Sequence, residues 1–129
     1  MKETGKIWMN GKLVPFKSAK VHVLTHALHY STSIFEGIRC YDTPEGSAIF
    51  RLPEHVDRFF NSAKAYSMKM QYSKKKISDG IINTVKASKL KQCYIRPLAY
   101  YGYGTMGLTP TNNKVDVSIS CWEWKMGES

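Results

Sequence analysis

The sequence predicts an α+β fold, a largely antiparallel sheet covered by two helices. Three observations carry that reading: strand-like runs at both ends of the chain, two helical apolar stripes in its middle, and hairpins in place of strand–helix–strand units. A length of 129 residues suits one domain, and 43% apolar with 12% aromatic residues marks a folded chain, not a disordered tail.

The elements follow in order. Asn10-Gly11 between Lys6–Asn10 and Leu13–Phe16 favours a primed two-residue turn and hence a hairpin. Thr25–Tyr30, THALHY, fits a short helical turn. From Ile34 to Tyr41 a strand puts Ile34, Glu36, Ile38 and Cys40 on one face and Phe35, Gly37, Arg39 and Tyr41 on the other. An apolar strand holding a carboxylate, a glycine and a guanidinium within four residues is two-sided in polarity or borders a pocket. Residues 42–46 then turn the chain into a second strand, Ser47–Leu52.

Pro53 and Glu54 suit a helix start, and Val56, Phe59, Phe60 and Ala63 give helix Pro53–Met68 one buried face, with Arg58 at its edge. Ser73 is placed to cap a second helix reaching about Lys89, with Ile77, Ile81 and Val85 in a row. Gln92–Tyr103 alternates again, with Tyr94, Arg96, Leu98 and Tyr100 on one face. Pro97 removes a ladder donor, so this strand is expected at an edge or bulged near Arg96. A glycine-rich loop, 102–110, leads to a last strand, Val115–Trp122, with Val115, Val117, Ile119 and Cys121 inward.

The net charge of +9 comes from 19 Lys and Arg against 10 Asp and Glu. Only four of the cations are arginine, and the lysines are spread from Lys2 to Lys125. With no clustered arginine and no binding motif, a solubilising surface is the reading, not nucleic-acid binding. Cys40, Cys93 and Cys121 are widely spaced with no CxxC pair, so they read as buried thiols in a reducing compartment. The N-terminus has no apolar signal region and no run approaches a membrane span, so a cytoplasmic protein without membrane partners is expected.

For chemistry, Arg96 framed by Tyr94 and Tyr100 suits a carboxylate or phosphate, or else pairs with an internal acid such as Glu36. Arg58 is explained by a surface ion pair with Glu54 four residues earlier. His22, His26, His29 and His55 lack a metal-ligand pattern and read as structural. Gly102, Gly104 and Gly107 match no phosphate-cradling motif.

Three segments, IWMNGKLVPFKSAKVHVLTHALHYSTSIFEGIRCYDT, IFRLPEHVDRFFNSAK and CYIRPLAYYGYGTMGLTP, resemble the N-terminal half of the branched-chain amino acid aminotransferases of fold-type IV, which depend on pyridoxal phosphate. The order HALHY, FEGIRCY, YIRPL favours that family over D-amino acid aminotransferases and aminodeoxychorismate lyases. The resemblance implies that Arg58 binds the cofactor phosphate, which displaces the Glu54 reading. It also implies that Tyr30, Phe35 and Tyr94 line the substrate side-chain pocket, and that Arg96 meets the distal carboxylate of glutamate or 2-oxoglutarate. Met106-Gly107-Leu108 would reach a neighbouring subunit's active site in a homodimer.

No lysine here sits in a motif matching the family's Schiff-base lysine. Residues 1–122 are thus expected to be the small, substrate-recognition domain, 123–129 the start of an interdomain linker, and the cofactor lysine part of a further domain. Taken alone, the chain is expected to be inactive. A stand-alone basic binding module and a regulatory fragment are the readings of a different class.

Overall fold

The computed structural model describes Lys2, Glu3 and residues 5–124. Strand β1 (Lys6–Met9) turns through Asn10 and Gly11, at φ 47° and 102°, into β2 (Lys12–Pro15). Both turn residues have positive φ, which a primed hairpin turn requires and which Asn and Gly adopt most readily. A single 3₁₀ turn (Phe16–Ser18) and an irregular segment lead to α1 (His26–Tyr30), closed by Ser31 in the left-handed region.

The strand expected from Ile34 is divided in two, β3 (Ser33–Phe35) and β4 (Ile38–Thr43), and β4 forms a hairpin with β5 (Gly46–Ile49). Helix α2 (Leu52–Ala65) ends three residues earlier than the periodicity predicts. Ser67 takes φ 56°, its N–H bonds Lys64 O, and Met68 N–H reaches back to Ala63 O at 2.8 Å. This left-handed C-terminal motif turns Met68 into the core, where it is 6% exposed. Helix α3 (Lys74–Ser88) starts at the expected cap, with Ser73 Oγ accepting from Lys76 N at 3.0 Å. Strands β6 (Cys93–Tyr101) and β7 (Val115–Glu123) complete the fold, β7 running one residue past its expected end. The remaining linker residues, 125–129, lie outside the described residues.

All seven strands join one antiparallel sheet, ordered β2-β1-β7-β6-β4-β5, with β3 also on β6. The expectation that Pro97 marks an edge or a bulge is corrected here. Strand β6 is central, and its nine-residue register against β7 is unbroken. On its other side the register stays in step from Phe35↔Leu98 to Ile38↔Ile95. Pro97 O accepts from Glu36 N at 3.0 Å, so the Pro97 nitrogen also points toward Glu36–Gly37. The missing donor interrupts the ladder at that spot and divides the strand into β3 and β4.

Helices α2 and α3 cover one face of the sheet, over Ile34, Ile38, Ile95, Val117 and Ile119, with Phe59 and Ile81 from the helices fully enclosed. Each such side chain contributes about 1.5–3 kcal/mol by leaving water. The opposite face carries no helix pair. There Ile7, Met9, Leu98 and Tyr100, with Val21 and Leu28 from the segment before and within α1, line a cavity of about 350 Å³. None of the helices among the described residues is long and apolar enough to cross a membrane.

Candidate functional site

Alternation along β6 sends Cys93, Ile95, Pro97 and Ala99 into the core and Tyr94, Arg96 and Leu98 to the open face. Tyr94 lies directly opposite Trp122 on β7, their rings 5.2 Å apart, and Phe35 comes from β3. The Arg96 guanidinium carbon lies 4.2 Å from the Phe35 ring centroid, 5.5 Å from Tyr94 and 5.8 Å from Trp122. Such stacking holds the planar fork while its edge nitrogens keep their hydrogen-bonding capacity. Arg96 Nε donates to the main-chain carbonyl of Glu36 at 3.1 Å and Nη2 to Tyr94 OH at 3.3 Å. Nη1 makes no hydrogen bond to a described residue.

Gly37 lets this cluster close, since a Cβ there would collide with the Tyr94 hydroxyl. The expected frame of Tyr94 and Tyr100 is therefore corrected: Phe35, Tyr94 and Trp122 surround Arg96, and Tyr100 lines the neighbouring cavity.

On the helix side of the sheet, Glu36, between β3 and β4, is 4% exposed. Its carboxylate takes Arg58 side-on, Nε to Oε2 at 2.8 Å and Nη2 to Oε1 at 2.9 Å, and accepts from His55 Nδ1 at 2.8 Å. Burial by itself would raise the Glu36 pKa. The hydrogen bonds and positive charges of Arg58 and His55 outweigh it and hold the carboxyl below the ordinary glutamate range. Neither reading of the two arginines as ion-paired is met as expected. Arg58 pairs with Glu36, not Glu54, which reaches Arg51 at 3.8 Å, and Arg96 takes the Glu36 carbonyl, not its carboxylate. The Arg58 side chain is 66% exposed, and its Nη1 bonds no described residue.

Tyr30 stands apart from Phe35, Tyr94 and Arg96. Its hydroxyl donates to Met106 O at 2.8 Å, and buried His26 sets Nε2 against Gly107 O at 2.8 Å and Nδ1 against Thr32 Oγ1 at 2.9 Å. Because a carbonyl only accepts, Nε2 must donate. Met106, Gly107 and Leu108 are thereby tied to α1 through two carbonyls, with Leu108 77% exposed at the surface. Of the remaining histidines, His29 bonds Val23 O and His22 Nδ1 accepts from Leu24 N.

Sequence reasoning missed the partners of Glu36, the place of Trp122 and the link from His26 to the loop. The signal for the first was present. Glu36 falls on the core face of its strand, and a buried carboxylate needs cations, which His55 and Arg58 supply three residues apart at the edge of the α2 stripe.

The chain is a mixed α+β domain with one arginine, Arg96, stacked among rings on the open face of the sheet and a second, Arg58 of α2, held by a buried carboxylate on the helix side. A family model for amino-transferase class IV matches residues 33–128, and the chain belongs to that family. It is 47% identical over 126 residues to the branched-chain-amino-acid aminotransferase of Pseudomonas aeruginosa, covering 96% of this chain and 41% of the relative. Against the Escherichia coli K12 protein of the same name it is 41% identical over 124 residues, covering 95% and 40%. The fold also superposes on the crystal structure of the Escherichia coli branched-chain amino acid aminotransferase with a TM-score of 0.90 at 41% identity, over 94% of this chain and 41% of that one. The chain thus spans about two-fifths of the length of these relatives.

Proposed function

We propose that this chain is the small, substrate-recognition domain of a branched-chain amino acid aminotransferase that moves an amino group between leucine, isoleucine or valine and 2-oxoglutarate with pyridoxal 5'-phosphate. The observation that carries this reading is the pairing of an aromatic wall with a cationic fork. Phe35 and Tyr94 offer apolar surface to a branched side chain, while Arg96, stacked among them with Nη1 uncommitted, offers charge to the distal carboxylate of glutamate. One pocket must accept both substrates, and a stacked guanidinium serves both because its face is apolar and its edge is not. Tyr30, set apart from these residues on α1 with its hydroxyl on Met106 O, meets the substrate side chain from the loop side in this reading.

The residues present fit one contact to the cofactor phosphate. Arg58 is held by Glu36 with Nη1 facing outward. They do not supply the cofactor's lysine, since every lysine among the described residues is exposed and a lysine of that kind needs a desolvated setting. That lysine belongs, on this reading, to a second domain, with residues 1–122 as the first. The cofactor, when bound, supplies the electron sink for loss of the substrate Cα proton. The residues of this domain bind and orient the substrate, and alone they catalyse nothing.

A homodimer is part of the same reading. The loop Met106-Gly107-Leu108 is held at Met106 and Gly107 by Tyr30 and His26 and leaves Leu108 exposed, suited to reach the active site of a neighbouring subunit. A soluble, cytoplasmic enzyme acting on free amino and 2-oxo acids accords with a lysine-rich surface.

The test is the pair of half-reactions in the full-length enzyme. Arg96→Leu is expected to slow the glutamate half-reaction on the order of a hundred-fold, the loss of a charge-assisted bond at about 1.5–3 kcal/mol, and to leave the leucine half-reaction nearly intact. Equal losses would remove the distal-carboxylate role.

A further inference from the structure

We propose that Glu36 is a positioning residue for both anion-binding arginines. Its carboxylate fixes the Arg58 guanidinium for the cofactor phosphate, and its main-chain carbonyl fixes the Arg96 guanidinium for the substrate carboxylate. The inference rests on the phosphate and carboxylate roles given above to Arg58 and Arg96.

Glu36 sits where Pro97 interrupts the ladder, its N–H bonded to Pro97 O at 3.0 Å. Because Pro97 has no N–H, the Glu36 carbonyl is not claimed by that residue, and Arg96 Nε takes it at 3.1 Å. The ladder defect supplies an acceptor beside a cation.

On the other face, the Glu36 side chain is 4% exposed while that of Arg58 is 66% exposed. An exposed arginine ordinarily samples many rotamers and loses their entropy when it grips a ligand. Here Nε and Nη2 are already seated side-on against a buried carboxylate, and His55 Nδ1 holds that carboxylate from the third side. The cost of ordering the fork is met on folding, so Nη1 is presented to a ligand in one orientation. The two arginines would thus be set at a fixed separation by the two ends of a single residue.

The test uses the full-length enzyme and reads binding rather than turnover: the equilibrium dissociation of pyridoxamine 5'-phosphate, with pyridoxamine, which lacks the phosphate, as the comparison. Glu36→Gln keeps the shape and the main-chain carbonyl but loses the charge. It is expected to weaken pyridoxamine 5'-phosphate on the order of ten-fold, the lower end of what an outer partner contributes to a ligating group. Pyridoxamine binding and the ratio of glutamate to leucine half-reaction rates are expected to stay at their unmodified values.

If Arg58→Met leaves the phosphorylated ligand's affinity unchanged, the phosphate role of Arg58 itself fails. If Arg58→Met weakens binding and Glu36→Gln does not, the positioning role fails and the phosphate role stands. The double variant is expected to bind no more weakly than Arg58→Met, and additive losses would show that Glu36 acts through something other than Arg58. A drop in the glutamate to leucine ratio in Glu36→Gln would overturn the assignment of Arg96 to the main-chain carbonyl. Arg58→Lys, at an exposed position that does not depend on Glu36 being replaced, keeps the charge but cannot grip side-on. It is expected to lose most of what Arg58→Met loses, and full retention of affinity would overturn the proposal.

Discussion

The carboxylate of Glu36 and the guanidinium of Arg58 meet side-on through two hydrogen bonds of 2.8 and 2.9 Å, one partner buried in the sheet and the other largely in solvent. Because the folded state holds the Glu36 pKa below its ordinary value of 4.5, the unfolded chain binds more protons between the two values. Stability from this group is therefore fully present above about pH 4.5 and is lost as the pH falls through the folded value. Glu36→Gln is expected to unfold at lower urea than the unmodified protein at pH 7, with the gap closing as the pH drops below 4.5. Urea midpoints measured from pH 7 to pH 3 check this, and a gap that persists unchanged to pH 3 would show that the charge of Glu36 contributes nothing.

Gly37 is the second point where one atom decides the site. Nothing but hydrogen fits between its Cα and the Tyr94 hydroxyl. Gly37→Ala is expected to push the Tyr94 ring off Trp122 and to cost about 1–3 kcal/mol, as overpacking does. Near-UV circular dichroism reads the Tyr94–Trp122 pair and thermal unfolding reads the cost. An unchanged spectrum together with an unchanged midpoint would mean that the strand shifts to make room, and that Gly37 does not set the position of Tyr94.

Much of this architecture is legible in the sequence because its causes are local. Asn10-Gly11, Ser73 and the alternation of Val115, Val117, Ile119 and Cys121 act within a few residues of themselves, and the structure keeps each of them. What escapes depends on distance. The helical spacing rule pairs Arg58 with Glu54, yet Glu36, 22 residues away, is brought beside it by the docking of α2. Tyr100 shares a face with Arg96 but lies four residues on, about 13 Å along the strand, whereas Phe35 and Trp122 arrive from the neighbouring strands. Pro97 reads as an edge residue because the rule concerns one strand. A central strand tolerates it where the facing carbonyl, here that of Glu36, takes its donor from a side chain, Arg96 Nε.

The cysteines illustrate burial without function. Cys40 and Cys93 face each other across β4 and β6, and Cys121 sits on β7; none forms a disulfide, and none is more than 3% exposed. Burial pushes the Cys40 thiol up, away from the reactive thiolate. A thiol reagent such as dithionitrobenzoate is expected to titrate none of them within minutes in the native protein at pH 8 and all three in denaturant. Rapid reaction of any one before unfolding would reveal an opening of the sheet or of its helix cover.

The 102–110 loop is clasped near its tip. Two of its carbonyls, Met106 O and Gly107 O, are held by Tyr30 OH and His26 Nε2, both from α1, and His26 is itself steadied by Thr32 Oγ1. Tyr30 is 38% exposed, so Tyr30→Phe keeps the ring and exchanges one partly solvated hydrogen bond for water, at about 0.5–1.5 kcal/mol. His26 is fully enclosed, but Thr32 is half-buried and Gly107 exposed, so His26→Leu removes two hydrogen bonds whose outer partners can turn to water, at about 0.5–1.5 kcal/mol each. Amide hydrogen exchange at residues 105–109 separates the two effects from global stability. Exchange there is expected to quicken in Tyr30→Phe while β6 and β7 keep their protection, and to quicken further in His26→Leu. If the loop is what a neighbouring subunit receives, Tyr30→Phe in the full-length enzyme should raise KM for leucine with little change in the dimer's dissociation constant. Unchanged exchange at 105–109 in both variants would mean that the loop is held by its own turns, with Asn113, which bonds Thr105 and Gly102, as the remaining anchor.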